Sequence, residues 1–254
     1  MPAGATVGLE NAGAAGPWLL VCEHASNAFP DPWGDLGLSP EAQEAHIAWD
    51  PGALPVARGL AQALDAPLVA GSVSRLIYDL NRPPHVPGAM TERSEVWDIP
   101  GNRNLTPAAR LARTEAVYLP FHAAVSAQVA GALAQGRHPV LATIHSFTPT
   151  WHGRPRSVEL GIIHDADPAL ALAVVEAARR LTGLRVALND PYSAADGVTH
   201  SLRLHATPYG LPNVMIEIRN DLIATPETQA EMAAKLARVL DEALAAIHPR
   251  EGVA

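Results

Sequence analysis

The chain reads as one α/β domain with a mostly parallel or mixed sheet flanked by helices. Three observations predict this. Short β-leaning apolar runs recur along the 254 residues, helical patterns opened by capping signals lie between them, and no internal repeat or long linker interrupts the alternation. With 48% hydrophobic against 17% charged residues, the chain carries enough apolar side chains for a sizeable core, which argues against disorder.

Residues 1–16 are rich in Gly and Ala and are expected to form a flexible segment ahead of a domain spanning 17–248. Gly16-Pro17 then bounds Trp18–Cys22, a short run that reads as a buried strand. Ser39-Pro40-Glu41 caps a helix running toward Trp49, with Pro at the first helical position. Gly52–Leu64 places Leu54, Ala57, Leu60 and Leu64 at helical spacing, and Pro67–Ala70 follows as a strand. The Pro-rich stretch from Pro83 to Gly101 is expected to be a surface loop. Thr106-Pro107 opens a long helix toward Ala134, and Val140–Ile144 is the next strand. Val158–Ile163 is a further strand, Asp167-Pro168 opens a helix toward Leu181, and Asn189 to His200 reads as loop. Val214–Ile218 is the last strand, and Thr225-Pro226-Glu227 starts a helix ending near Ile247.

Composition excludes several classes of function. A net charge of −8 with no basic stripe argues against nucleic acid. One cysteine, Cys22, leaves no internal disulfide and no multi-thiolate zinc site. The first cationic side chain is Arg58, so the positive start of a secretory signal is missing, and no apolar run approaches the roughly 18 residues of a membrane span. A cytoplasmic protein acting on a small molecule is the expectation, with the oligomeric state left open.

In open α/β sheets, ligands bind outside the carboxyl ends of the strands. His24 follows the first run, His145 follows Val140–Ile144, and Glu217 lies within the last run. Two neutral imidazoles and one carboxylate form a zinc site with an open fourth position; the bland reading is two histidines bonded to backbone. Asp50, in a Pro-Gly break between two helices, is the preferred third ligand, because Glu23 points to the face opposite His24. Its bland reading is an N-cap. Glu217 suits a general base, or a structural ion pair with Arg219 on the same face. Arg75 and Arg82 could grip anions, or simply pair with Asp79 or Asp98. Ser146 lacks the G-x-S-x-G setting of a nucleophile, and Cys22 reads as an inert core residue.

Five segments together resemble the N-formylglutamate amidohydrolase family. They are Cys22-Glu23-His24-Ala25-Ser26-Asn27, Ser74 through Pro83, Ile144-His145-Ser146-Phe147-Thr148-Pro149, Gly197-Val198-Thr199-His200 and Asn213 through Ile223. The likeness extends over roughly residues 18 to 245. It implies a zinc-carboxypeptidase-like (phosphorylase/hydrolase-like) fold related to the aspartoacylases, and a zinc-dependent amidohydrolase acting on a small N-acyl amino acid such as N-formylglutamate. His24 and His145 match the histidine ligands, Glu217 the strand-borne base and Arg75 the arginine that polarises the scissile carbonyl. Asn81-Arg82 resembles the pair that grips a substrate carboxylate, while Tyr192 and His200 lie on the stretch that resembles a substrate-covering loop. The acidic ligand of the carboxypeptidase-like relatives comes three residues after the first histidine, where this chain has Asn27, so Asp50 takes that place. A non-catalytic carboxylate-binding module and a metal-dependent esterase or peptidase are the alternatives on the same fold.

Overall fold

The computed structural model describes residues 6–247. A seven-stranded mixed sheet forms its middle layer. The strands are β1 (Val7–Glu10), β2 (Trp18–Cys22), β3 (Leu68–Gly71), β4 (Val140–Phe147), β5 (Leu160–Ile163), β6 (Val186–Leu188) and β7 (Asn213–Arg219). Their order across the sheet is β1-β3-β2-β4-β7-β5-β6. Strands β3, β2, β4 and β7 are mutually parallel; β1 and β5 run against their inner neighbours, and β6 is parallel to β5. The helices are α1 (Pro40–Glu44), α2 (Ala53–Ala63), α3 (Pro107–Arg113), α4 (Leu119–Ala134), α5 (Ala169–Leu181), α6 (His200–His205) and α7 (Pro226–Ile247).

Central parallel strands are covered on both faces, which explains why β2 and β4 are buried at every position. Alternation sends Trp18, Leu20 and Cys22 toward Leu60 of α2, Val174 of α5 and Leu236 of α7. Leu19 and Val21 point the other way, toward Phe121 and Val125 of α4 and toward Leu76–Tyr78. Each side chain buried this fully contributes on the order of 2 kcal/mol of transfer free energy. The same parity places Glu23, His145 and Glu217 on the α4 side of the sheet, where Val21, Leu141 and Met215 lie.

Several expectations are corrected. Residues 7–10 are not a flexible tail but an edge strand, paired antiparallel to β3. Val186–Leu188 also joins the sheet; its three half-buried residues are too short a run to read as a strand. Helix α1 stops at Glu44 instead of continuing to Trp49. Beyond it the backbone meets better partners: Ala48 O accepts from Ser74 Oγ at 2.8 Å and Arg75 N at 3.1 Å, and Asp50 N donates to His24 O at 2.9 Å.

The long helix toward Ala134 contains one wide turn, Thr114–Tyr118, between α3 and α4. Pro120 has no N–H to donate back along the helix, and the freed Ala116 O accepts from Thr6 Oγ1 at 2.6 Å. By length and composition the span Pro107–Ala134 is apolar enough to cross a membrane, contrary to the sequence reading. Its Val117, Phe121, Val125 and Val129 are buried in the core, as in a packed core helix.

Candidate active site

Asp50 is not the N-cap of α2. That position belongs to Gly52, at a φ of 80°, where a Cβ would lie 2.5 Å from Ile223 O. The left-handed turn at Gly52 frees the Asp50 carboxylate to face the C-terminal ends of β2 and β4. Asp50 Oδ2 lies 2.9 Å from His145 Nδ1 and 3.3 Å from His24 Nδ1. One donor atom from each of the three residues falls within 4.8 Å of the others, and all three side chains are buried. His145 is the sixth residue of β4 rather than a residue beyond its end.

The outer ring nitrogens also meet carboxylates. His24 Nε2 is 2.8 Å from Asp79 Oδ1. His145 Nε2 lies 3.2 Å from Glu23 Oε2, a close ion-pair contact whose angle falls outside hydrogen-bond geometry. The backbone alternation that turns Glu23 away from His24 thus delivers it to His145. Glu23 and Asp79 belong to the site, although the sequence reading gave them no role there. From sequence, Asp79 reads only as an arginine partner, and Glu23 fails as a chelator beside His24.

Charges in this cluster are strongly biased. Burial, then the Arg75 charge, push the His24 pKa down, but Asp79 and Asp50 outweigh them and leave it raised. Burial also opposes protonation of His145, yet Glu23 and Asp50 hold its pKa well above the ordinary value. Asp50 is the reverse case: burial pushes its carboxyl up, and His24 and His145 bring it far below the usual range. With Asp79 and Glu23 against the Nε2 atoms, both Nδ1 atoms lie within 3.3 Å of Asp50 Oδ2. Three such lone-pair donors repel unless protons or a cation sit between them. Two imidazoles and one carboxylate, with carboxylates behind the imidazoles, could hold a metal ion.

Glu217 sits opposite His145 in the β4–β7 register and is 4% exposed. Its Oε2 has no hydrogen-bond partner. Arg219, the suspected structural partner, pairs with Asp221 at 2.8 Å and Glu159 at 3.5 Å. Burial pushes the Glu217 pKa up to about 7; His145 opposes the shift and Asp50 adds to it.

A cavity of about 640 Å³ opens over these groups and is lined by His24, Asp50, His145, Glu217, Arg75, Asn81, Arg82 and Tyr192 among others. Arg75 donates to Asp79 Oδ2 at 2.6 Å and to Asp50 Oδ1 at 3.4 Å, so the Asp79 pairing considered from sequence exists alongside a place in the cavity. Arg82 Nη1 donates to Gly197 O at 2.7 Å and Asn81 O at 3.0 Å.

Two residues expected to touch substrate also have partners within the chain. The Asn81 amide donates to Val198 O and accepts from Ser201 N at 3.2 Å, so both its ends are engaged in holding the loop before α6. His200 is not among the residues lining the cavity; its Nε2 pairs with Tyr118 OH at 2.9 Å beside the buried His122–His205 contact of 2.8 Å. Cys22 is wholly buried, which raises its thiol pKa well above the ordinary value, and Ser146 Oγ donates to Pro51 O at 2.8 Å. Neither is set up as a nucleophile. Sequence reasoning also missed His46, Trp151 and Arg156 on the cavity wall, for which no local signal exists.

A buried His/Asp/His convergence at the carboxyl edge of a mixed α/β sheet, with a near-neutral carboxyl beside it, has the architecture of a hydrolase. The chain belongs to the N-formylglutamate amidohydrolase family, whose pattern matches residues 16–224. It is 55% identical to the crystal structure of gene product Atu2144 from Agrobacterium tumefaciens, covering 96% of this chain and 97% of that one at a TM-score of 0.94. The N-formylglutamate amidohydrolase of Ralstonia eutropha JMP134 shares the fold at 22% identity, over 96% of this chain and 99% of that one, with a TM-score of 0.67. No functionally curated protein matches the chain.

Proposed function

We propose that the chain hydrolyses the amide of a small N-acyl amino acid, with an N-formyl acidic amino acid as the leading substrate, using a zinc ion held by His24, Asp50 and His145. The observation that carries this reading is the convergence of two Nδ1 atoms and one carboxylate oxygen beside a buried Glu217 whose pKa stands near 7. When bound, the cation would supply Lewis-acid polarisation of the scissile carbonyl and acidification of a water.

This chain's residues supply the rest. Glu217 accepts a proton from the attacking water and returns it to the departing amine, a role suited to a carboxyl whose pKa is close to the working pH. Arg75, held by Asp50 and Asp79 at the cavity wall, offers positive charge to the developing oxyanion. Arg82 takes a substrate carboxylate, with its orientation set by the Gly197 carbonyl. Asn81 acts through the loop it pins, and Tyr192 lines the cavity where the substrate would sit.

The test is formate release from N-formyl-L-glutamate by chelator-treated protein before and after zinc is supplied. Turnover that appears with zinc and is lost in His145→Ala supports the reading. Zinc-loaded protein that releases no formate from formyl amino acids refutes it.

A further inference from the structure

The hairpin Thr150–Trp151/Arg154–Pro155 leads the chain straight into Arg156. Its backbone is held on both sides: Arg156 N donates to Pro149 O at 2.8 Å, and Arg156 O accepts from Arg219 Nη1 at 3.3 Å. The guanidinium lies among three aromatic rings, 5.0 Å from Trp151, 5.1 Å from Tyr192 and 5.4 Å from Phe147. Among the described residues only Nη1 has hydrogen-bond partners, Tyr192 OH at 3.2 Å and Thr148 O at 3.5 Å. Among the described residues no carboxylate is in ion-pair contact with Arg156. Glu95, whose carboxyl feels the Arg156 charge, lies against His46 Nε2 at 3.2 Å instead.

The Nε–Nη2 edge of an arginine carries the two parallel N–H groups that match a carboxylate. On Arg75 both terminal nitrogens are taken by Asp50 and Asp79. On Arg82 and Arg156 the Nε–Nη2 edge has no protein partner among the described residues, and both side chains line the cavity. A partly buried cation held rigid, with its forked edge unpaired, is set up for an anion from outside the chain.

We propose that Arg156 is a specificity-determining residue, the second carboxylate anchor of the cavity, so that the site selects ligands with two carboxylates over those with one. This rests on the amidohydrolase reading for its substrate, an acidic N-acyl amino acid, but its test does not require turnover.

Binding of glutarate and of its mono-amide glutaramate to the purified chain is measured by calorimetry for the wild type, Arg156→Gln and Arg156→Lys. The wild type is expected to prefer glutarate by roughly tenfold or more. That ratio collapses toward one in Arg156→Gln and is partly restored in Arg156→Lys, which keeps the charge without the fork. Near-UV circular dichroism confirms that the variants keep their packing. A residue that only braces the hairpin and the Tyr192 loop would weaken both ligands equally. An unchanged ratio in Arg156→Gln, equal losses for both ligands, or a wild type without preference overturns the assignment. If the ratios behave as expected while N-formyl-L-glutamate yields no formate, the hydrolase reading falls and the anchor stands.

Discussion

Glu217 and His145 face each other as registered partners across the parallel β4–β7 pair. Backbone hydrogen bonding, not side-chain reach, sets the distance between the proposed base and one of the candidate cation ligands. Such a pairing resists drift, because a slip of β7 by one residue against β4 would turn Glu217 to the opposite face, away from His145.

Glu217→Gln should therefore fold with its cation site intact and lose turnover by about 10²–10⁴-fold, the usual worth of a positioned acid–base group. Retention of zinc by elemental analysis, together with formate release, separates this from a ligand defect.

The same substitution has a stability signature in the cation-free protein. The Glu217 pKa is raised from 4.5 to about 7, so the unfolded chain ionises first as pH rises. Stability present below 4.5 is lost as pH climbs to about 7. Glu217→Gln removes that loss, and at pH 8 should stabilise the cation-free fold by up to about 3 kcal/mol. Urea unfolding at pH 4 and pH 8 would show it as a gain only at the higher pH.

Asp79 and Glu23 face the outer nitrogens of the two histidines. Asp79→Asn and Glu23→Gln should each weaken zinc binding by about 10–100-fold, as loss of an orienting carboxylate does elsewhere. Chelator competition measures this directly. Because the cation displaces protons from His24 and His145, whose pKa values are raised, affinity should tighten as pH rises.

Gly52→Ala tests the turn that aims Asp50. At a φ of 80°, with Ile223 O 2.5 Å from the new Cβ, the backbone must move. A destabilisation of about 1–3 kcal/mol is expected, accompanied by weaker zinc binding because Asp50 moves with it.

Asn81→Ala would leave Val198 O and Ser201 N without their side-chain partner. A loss of about 1–2 kcal/mol follows from one buried and one part-buried backbone group left unpaired. Hydrogen exchange should rise at residues 197–201 first, reporting release of the loop and not of the sheet.

Much of the architecture was legible along the chain. Trp18–Cys22 matches its strand residue for residue, and Pro226 opens the last helix where its Thr-Pro-Glu signal stands. These are local signals, carried by burial pattern and capping chemistry within a few residues. His24, Asp50, His145 and Glu217 were legible for a related reason: strand ends and a Pro-Gly break mark where polar groups surface at the sheet edge.

Only the folded chain decided what those groups touch. Whether Asp50 caps a helix or faces two imidazoles depended on the left-handed turn at Gly52, two residues on. The placing of Glu23 against His145, the engagement of Asn81 with a loop more than a hundred positions away, and the withdrawal of His200 to Tyr118 all join remote segments. Strand register and close packing set such contacts. A linear sequence constrains each side chain's local direction, but its partner is chosen by whichever distant element the sheet brings alongside.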